Sequence, residues 1–167
     1  MAGRSALTGR AFRSPRWKGA RRPPMWITPE HRSVVVGVDG SPNSMAALRR
    51  AAREAVERHA RLDVVRVLEP GAAPRPMGTA REWLRLRRLV ADAIPRVQHL
   101  TTRLRVVRGT PSEALPRAAE HAELLVIGAR FHSGRGNPLG GDTVPAVRER
   151  ARCPLVICAD QTTDAPS

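Results

Sequence analysis

The sequence predicts an α/β fold, a doubly wound five-stranded parallel sheet with helices on both faces in a three-layer α/β/α sandwich. Short apolar runs alternate with stretches of helical period, in the order β-α-β-α-β-α-β-α-β and without an internal repeat. The runs are rich in Val, Ile and Leu on both faces, as buried parallel strands are. Turn and capping residues punctuate them at the right places. Parallel neighbours of this kind are joined by right-handed crossovers.

Order is expected from Ser33. Val34-Val35-Val36-Gly37-Val38 reads as the first strand, and Asp39-Gly40-Ser41-Pro42 as a turn. Residues 43–60 then keep helical spacing, with Leu48, Ala52, Ala55, Val56 and His59 on one face. Glu54 and Arg58 are spaced to pair on the outside. Leu62–Leu68 is the second strand, followed by a loop to Gly78. Thr79 is the expected cap of a helix carrying Trp83, Leu86, Leu89, Val90 and Ile94 inward, limited by Pro95. Leu104–Val107 is the third strand.

Thr110-Pro111-Ser112-Glu113 is a capping-box signature with proline at the first helical position. Ala114, Leu115, Ala118 and Ala122 form that helix's apolar face, and Pro116 inside it predicts a kink or a late start. Leu124–Ile127 is the fourth strand, ending at Gly128. A Gly-rich loop runs to Gly141, a short helix covers about 143–151, and Pro154–Cys158 is the fifth strand.

The domain is expected at residues 33–160, between a basic extension (1–32) and a polar tail (161–167) that both read as disordered. Eight of the 29 Lys and Arg residues fall in residues 1–32 against one acid, Glu30, so half of the net charge of +14 sits there. Lys18 is the only lysine, a bias that GC-rich coding explains as well as a partner does. The extension reads as a plain tail or as sequence upstream of a true start at Met25. An arm touching nucleic acid or an anionic membrane is the functional alternative. No apolar stretch approaches the roughly 18–20 residues of a spanning helix, and no apolar signal core follows the basic start. The expected address is the cytoplasm. Cys153 and Cys158 match no zinc spacing and read as small buried apolar residues.

In such sheets ligands bind beyond the carboxyl ends of the strands, where strand order reverses. The loops after the first and fourth strands are therefore the candidates. Val36-Gly37-Val38-Asp39-Gly40-Ser41 before an Ala-rich helix resembles the opening of universal stress proteins. Val126-Ile127-Gly128, the Gly-rich loop, the short helix and Cys153-Pro154-Leu155-Val156-Ile157 resemble their closing segment. The resemblance covers about Arg32 to Asp160. It implies strand order 3-2-1-4-5, homodimers, a role in stress tolerance, and ATP as a ligand in one branch of the family. It implies that Gly37 and Asp39 meet the adenosine moiety and that Val67 meets the base. Ile127, Gly128, Arg130, Gly141, Asp142, Thr143 and Val144 would complete the cofactor site.

The ATP-binding branch keeps Gly, two residues, Gly, nine residues, Gly, then Ser or Thr. Here Gly128 matches the first glycine and Gly141 the third, but Phe131 stands at the second and Asp142 at the hydroxyl position. Glycine and hydroxyl matter because phosphate oxygens need close backbone N–H groups and donors. Phe131 puts a ring in place of bare backbone, and Asp142 replaces a donor with a charged acceptor. A carboxylate about 4 Å from a phosphate charge costs roughly 4 kcal/mol at an effective dielectric near 20. That approaches a thousandfold in affinity, at about 1.4 kcal/mol per tenfold. Arg130 and Arg135 lie in the same loop and offset part of the cost if they reach the phosphates. Asp142 also suits the N-cap of the short helix, with Pro145 in its first turn. It is expected to fill, from within the chain, the anion site of a triphosphate.

Catalytic residues are not expected. His132-Ser133 is a neighbouring pair rather than a triad, and Ser41 lies in no nucleophile elbow. The Arg85, Arg87, Arg88 cluster reads as a solvated face, and aromatic content of 3% leaves few stacking platforms. Asp39 has a second reading, a turn residue that accepts backbone hydrogens. The sequence thus points to a non-enzymatic stress-response module, a homodimer without membrane association, with no certain cofactor because the ATP loop is altered. A nucleotide-binding protein, and a nucleic-acid-associated one using the basic arm, are the alternatives.

Overall fold

The computed structural model describes residues 32–69, 76–95, 100–129 and 143–159. The elements run β1 (Ser33–Gly37), α1 (Pro42–Glu57), β2 (Arg61–Leu68), α2 (Pro76–Ala93), β3 (Thr102–Arg108), α3 (Pro111–Ala118), β4 (Leu124–Ala129), α4 (Thr143–Arg150) and β5 (Leu155–Ala159). The strands form one sheet in the order β3-β2-β1-β4-β5. Every pairing is parallel, with Val36 opposite Val64 on one side and Val126 on the other.

Alternate strand residues feed two cores. Val34, Val36, Leu62, Val64, Leu124 and Val126 pack with α1 and α2. Val35, Val65, Leu125 and Ile127 pack with Leu115 of α3 and with Val144 and Val147 of α4. A central strand whose two faces are both covered needs a run of apolar residues, which Val34–Val36 of β1 and Leu124–Ile127 of β4 supply. The two cysteines divide between these cores, Cys158 against the first and Cys153 against the second, and both are half-buried rather than buried.

Several local expectations are corrected. α1 ends at Glu57, and His59 lies beyond it at φ 51°, in the left-handed region. The Ala60 N–H then donates to the Ala55 carbonyl and the His59 N–H to Val56, the two bonds of a Schellman stop. His59 and Val56 are consequently exposed, not part of the inner face. Glu54 does pair with Arg58, and also with Arg50 at 2.6 Å, but its carboxylate is buried between the two rather than outside.

α2 begins at Pro76, three residues before Thr79, because proline fixes the first helical φ at no hydrogen-bond cost. Trp83 does not face the core. Leu86, Leu89, Val90 and Ala93 do, and the tryptophan lies on the flank of that stripe. At α3 the capping box does not close. Thr110 occupies the N-cap but its side chain makes no cap bond, and the Ser112 hydroxyl bonds the Thr110 hydroxyl instead. α3 starts at Pro111 and passes through the buried Pro116 without a late start, ending two residues on.

Candidate functional site

Strand order reverses between β1 and β4. β1 leaves through α1 toward β2, while β4 lies on the other side of β1. The crevice beyond their carboxyl ends is where such sheets accept ligands.

The β1–α1 loop is built by short polar side chains. The Asp39 carboxylate accepts the Ser41 N–H at 2.8 Å, so the turn reading of Asp39 holds; its side chain is also exposed at the crevice. Ser41 caps α1 by accepting the Ser44 N–H. The Ser44 hydroxyl donates to the Ser41 carbonyl at 2.9 Å and accepts the N–H groups of Asp39 and Gly40 at 3.3 and 3.2 Å. Gly40, at φ 88°, supplies the left-handed step that lets the chain turn into the helix. Two adjacent N–H groups are thus held by one serine.

Close packing explains the glycines. A Cβ on Gly128 would lie 2.5 Å from the Asn43 carbonyl carbon and from the Ser44 nitrogen, so only glycine lets the start of α1 rest on β4. The Asn43 amide closes the same contact by donating to the Ala129 carbonyl. Gly37 faces the opposite core, where an added Cβ would meet the Leu115 methyls at 3.0 Å.

Gly37, Asp39, Ile127 and Gly128 therefore meet at the ends of the two central strands. Val67 lies one strand over on β2, half-buried against Val107 and the α3 side. Ile127 is buried in the second core. Thr143 and Val144 open α4. The Val144 side chain is buried in the second core. Arg130, Phe131, Arg135, Gly141 and Asp142 lie outside the described residues, as does the His132-Ser133 pair.

Sequence reading missed Arg66 and Glu82. Arg66 extends from β2 onto the α1–α2 face, where its guanidinium donates to the Val38 carbonyl at 3.5 Å and meets Glu82 of α2 at 3.3 Å. Arg85, 4.0 Å from the same carboxylate, comes within 3.8 Å of where a Gly40 Cβ would lie. This bridge fastens α2 to the end of β1. The available signal was alternation: Arg66 follows Leu62 and Val64 on a buried face, a place where an arginine needs a partner.

Among the described residues no cluster of three His, Cys, Asp or Glu is placed to hold a metal ion. No helix among them is long and apolar enough to cross a membrane. A groove of about 360 Å³ lies between α1 and β5, lined by Ala46, Arg50, Arg53 and residues 156–159.

Comparison with known proteins agrees with this architecture. The sequence profile of the Universal stress protein family matches residues 30–159. A universal stress protein of Mycobacterium tuberculosis is 34% identical over 153 residues, covering 80% of this chain and 49% of its own length. One from Mycolicibacterium smegmatis is 28% identical over 137 residues, covering 74% of this chain and 47% of its own. The chain spans about half the length of these curated relatives. Among solved structures, a universal stress protein in complex with cAMP superimposes with TM-score 0.60 at 27% identity, over 77% of this chain and 96% of that one. The universal stress protein from Archaeoglobus fulgidus in complex with dAMP gives TM-score 0.55 at 25% identity, over 76% and 97%. With the strand order 3-2-1-4-5 and the matched span taken together, this chain belongs to the universal stress protein family.

Proposed function

We propose that this protein is a non-catalytic stress-response module whose crevice keeps the adenosine end of a nucleotide site and does not hold ATP in the family's usual way. The observation that carries this reading is the split between the two ends. Asp39, Gly37 and the Gly128–Asn43 contact preserve the β1 side. Phe131 and Asp142 alter the phosphate loop, and Asp142 immediately precedes the first residue of α4. A carboxylate at the N-cap position would set its own charge at the helix start, where a phosphate would otherwise bind. The complexes of two structural relatives with cAMP and dAMP favour a second reading, an adenine nucleotide with a single phosphate in the same crevice. Native mass spectrometry of the purified protein tests both. Co-purified ATP contradicts the first reading, and a monophosphate nucleotide supports the second.

The proposed assembly is a homodimer through β5. Among the described residues neither edge strand has an outer partner, but β3 carries Arg103, Arg105 and Arg108, charges that discourage edge pairing. β5 reads Leu155-Val156-Ile157-Cys158-Ala159, uncharged and half-buried throughout. Sedimentation equilibrium checks this: Val156→Arg is expected to give monomers, and a parent that is monomeric at all concentrations contradicts it. The cytoplasm remains the proposed address.

A further inference from the structure

Trp83 and Leu84 are large, apolar and turned to solvent, at 39% and 52% exposure. Val56, on another helix, is the only other exposed large hydrophobic residue among those described. α2 already spends its inward stripe on the core. At about 100° per residue the remainder of the helix divides in two. Ala80, Trp83, Leu84 and Ala91 form an apolar strip, and Arg81, Arg85 and Arg88 form a basic one beside it. Arg87 stands over the Trp83 ring, 5.8 Å from its centroid. Glu82 is turned inward to Arg66, which leaves Asp92 as the exposed acid of the helix. Arg81, Arg87 and Arg88 form no ion pair among the described residues.

We infer that this face of α2 docks an acidic, apolar-bearing segment of another protein, with carboxylates on the arginine strip and an aliphatic side chain on Trp83 and Leu84. Tryptophan and arginine are the residues that dominate protein interfaces when they cluster. Opposite charge speeds encounter and fixes orientation, and a chain of net charge +14 attracts an acidic partner from a distance. A membrane fits less well, because the stripe that would insert is already in the core. Nucleic acid fits less well too, because Arg87 covers the ring that a base would stack on. A second copy of this face would meet like charge.

Fluorescence anisotropy on the full chain tests it, using a labelled amphipathic helical peptide of Glu and Leu as probe. Saturable binding that weakens with added salt is expected. Trp83→Ala with Leu84→Ser should weaken it about tenfold, and Arg81→Gln with Arg88→Gln by a similar factor. All four positions are exposed, and circular dichroism confirms that the variants fold. Absence of saturable binding overturns the inference. So does equal binding by parent and variants, the result expected if the basic N-terminal segment were responsible. Phosphatidylglycerol vesicles and duplex DNA are run in parallel, and binding of either that depends on Trp83 and Leu84 in place of the peptide also overturns it.

Discussion

The side-chain amide of Asn43, in the first turn of α1, donates to the carbonyl of Ala129, the last residue of β4. One hydrogen bond thereby joins the two chain segments that border the crevice. The bond is buried, so removing the donor strands a carbonyl away from water. Asn43→Ala is expected to cost about 1–3 kcal/mol, read as a lower urea midpoint. Asn43→Asp should cost more at neutral pH, because it sets a carboxylate against that carbonyl.

Gly128 and Gly37 should differ in what they tolerate. Alanine at 128 drives its Cβ into the backbone of Asn43 and Ser44, which cannot move without shifting α1. Alanine at 37 meets only the ends of Leu115, which can rotate. Gly128→Ala is expected to cost about 1–3 kcal/mol, and Gly37→Ala distinctly less. Thermal unfolding of the pair checks the order.

His59 holds a left-handed conformation that a β-carbon disfavours by about 1–2 kcal/mol, and its side chain is exposed. Replacing it with glycine removes that strain while keeping the Schellman bonds to Ala55 and Val56. His59→Gly should therefore raise the melting temperature, with a gain of about 1 kcal/mol after the extra entropy of the unfolded chain is set against it.

Burial pushes the thiols of both Cys153 and Cys158 up; for Cys158, Arg50 and Arg53 pull partly the other way. A raised thiol pKa favours the folded state below the ordinary thiol value of about 8.5, and that contribution is lost as pH rises through the folded values. Stability should accordingly decline on the alkaline side, less so in Cys153→Ala. Iodoacetamide at mildly alkaline pH should label the native thiols more slowly than the urea-unfolded ones.

The sheet was legible because its signal is dense. Val34 to Val36 and Leu124 to Ile127 are apolar at every position, which only a strand covered on both faces explains. What was not legible depends on neighbours distant in sequence. Trp83 is apolar and near the right helical phase, yet the core beneath α2 is filled by Leu86, Leu89 and Val90. Glu54 reads as a surface partner of Arg58 until Arg50 is seen to close over it as well. The capping box at Thr110 fails for a local reason, the competing Ser112 hydroxyl. At the crevice, Asp39 and Gly128 carried their own signal. The Arg66–Glu82 bridge was only half legible: alternation marks Arg66 as an arginine on a buried face, but nothing local marks Glu82 as its partner, since the bridge joins β2 to α2 across an intervening loop.

In the proposed function the chain keeps the scaffold of a nucleotide crevice while Phe131 and Asp142 exclude a triphosphate. Calorimetric titration with ATP checks this on the parent and on the double variant Phe131→Gly, Asp142→Ser. No micromolar binding is expected of the parent, and a gain toward a thousandfold is expected in the variant, the factor that follows from about 4 kcal/mol of removed charge repulsion. Micromolar binding of ATP by the parent would contradict it.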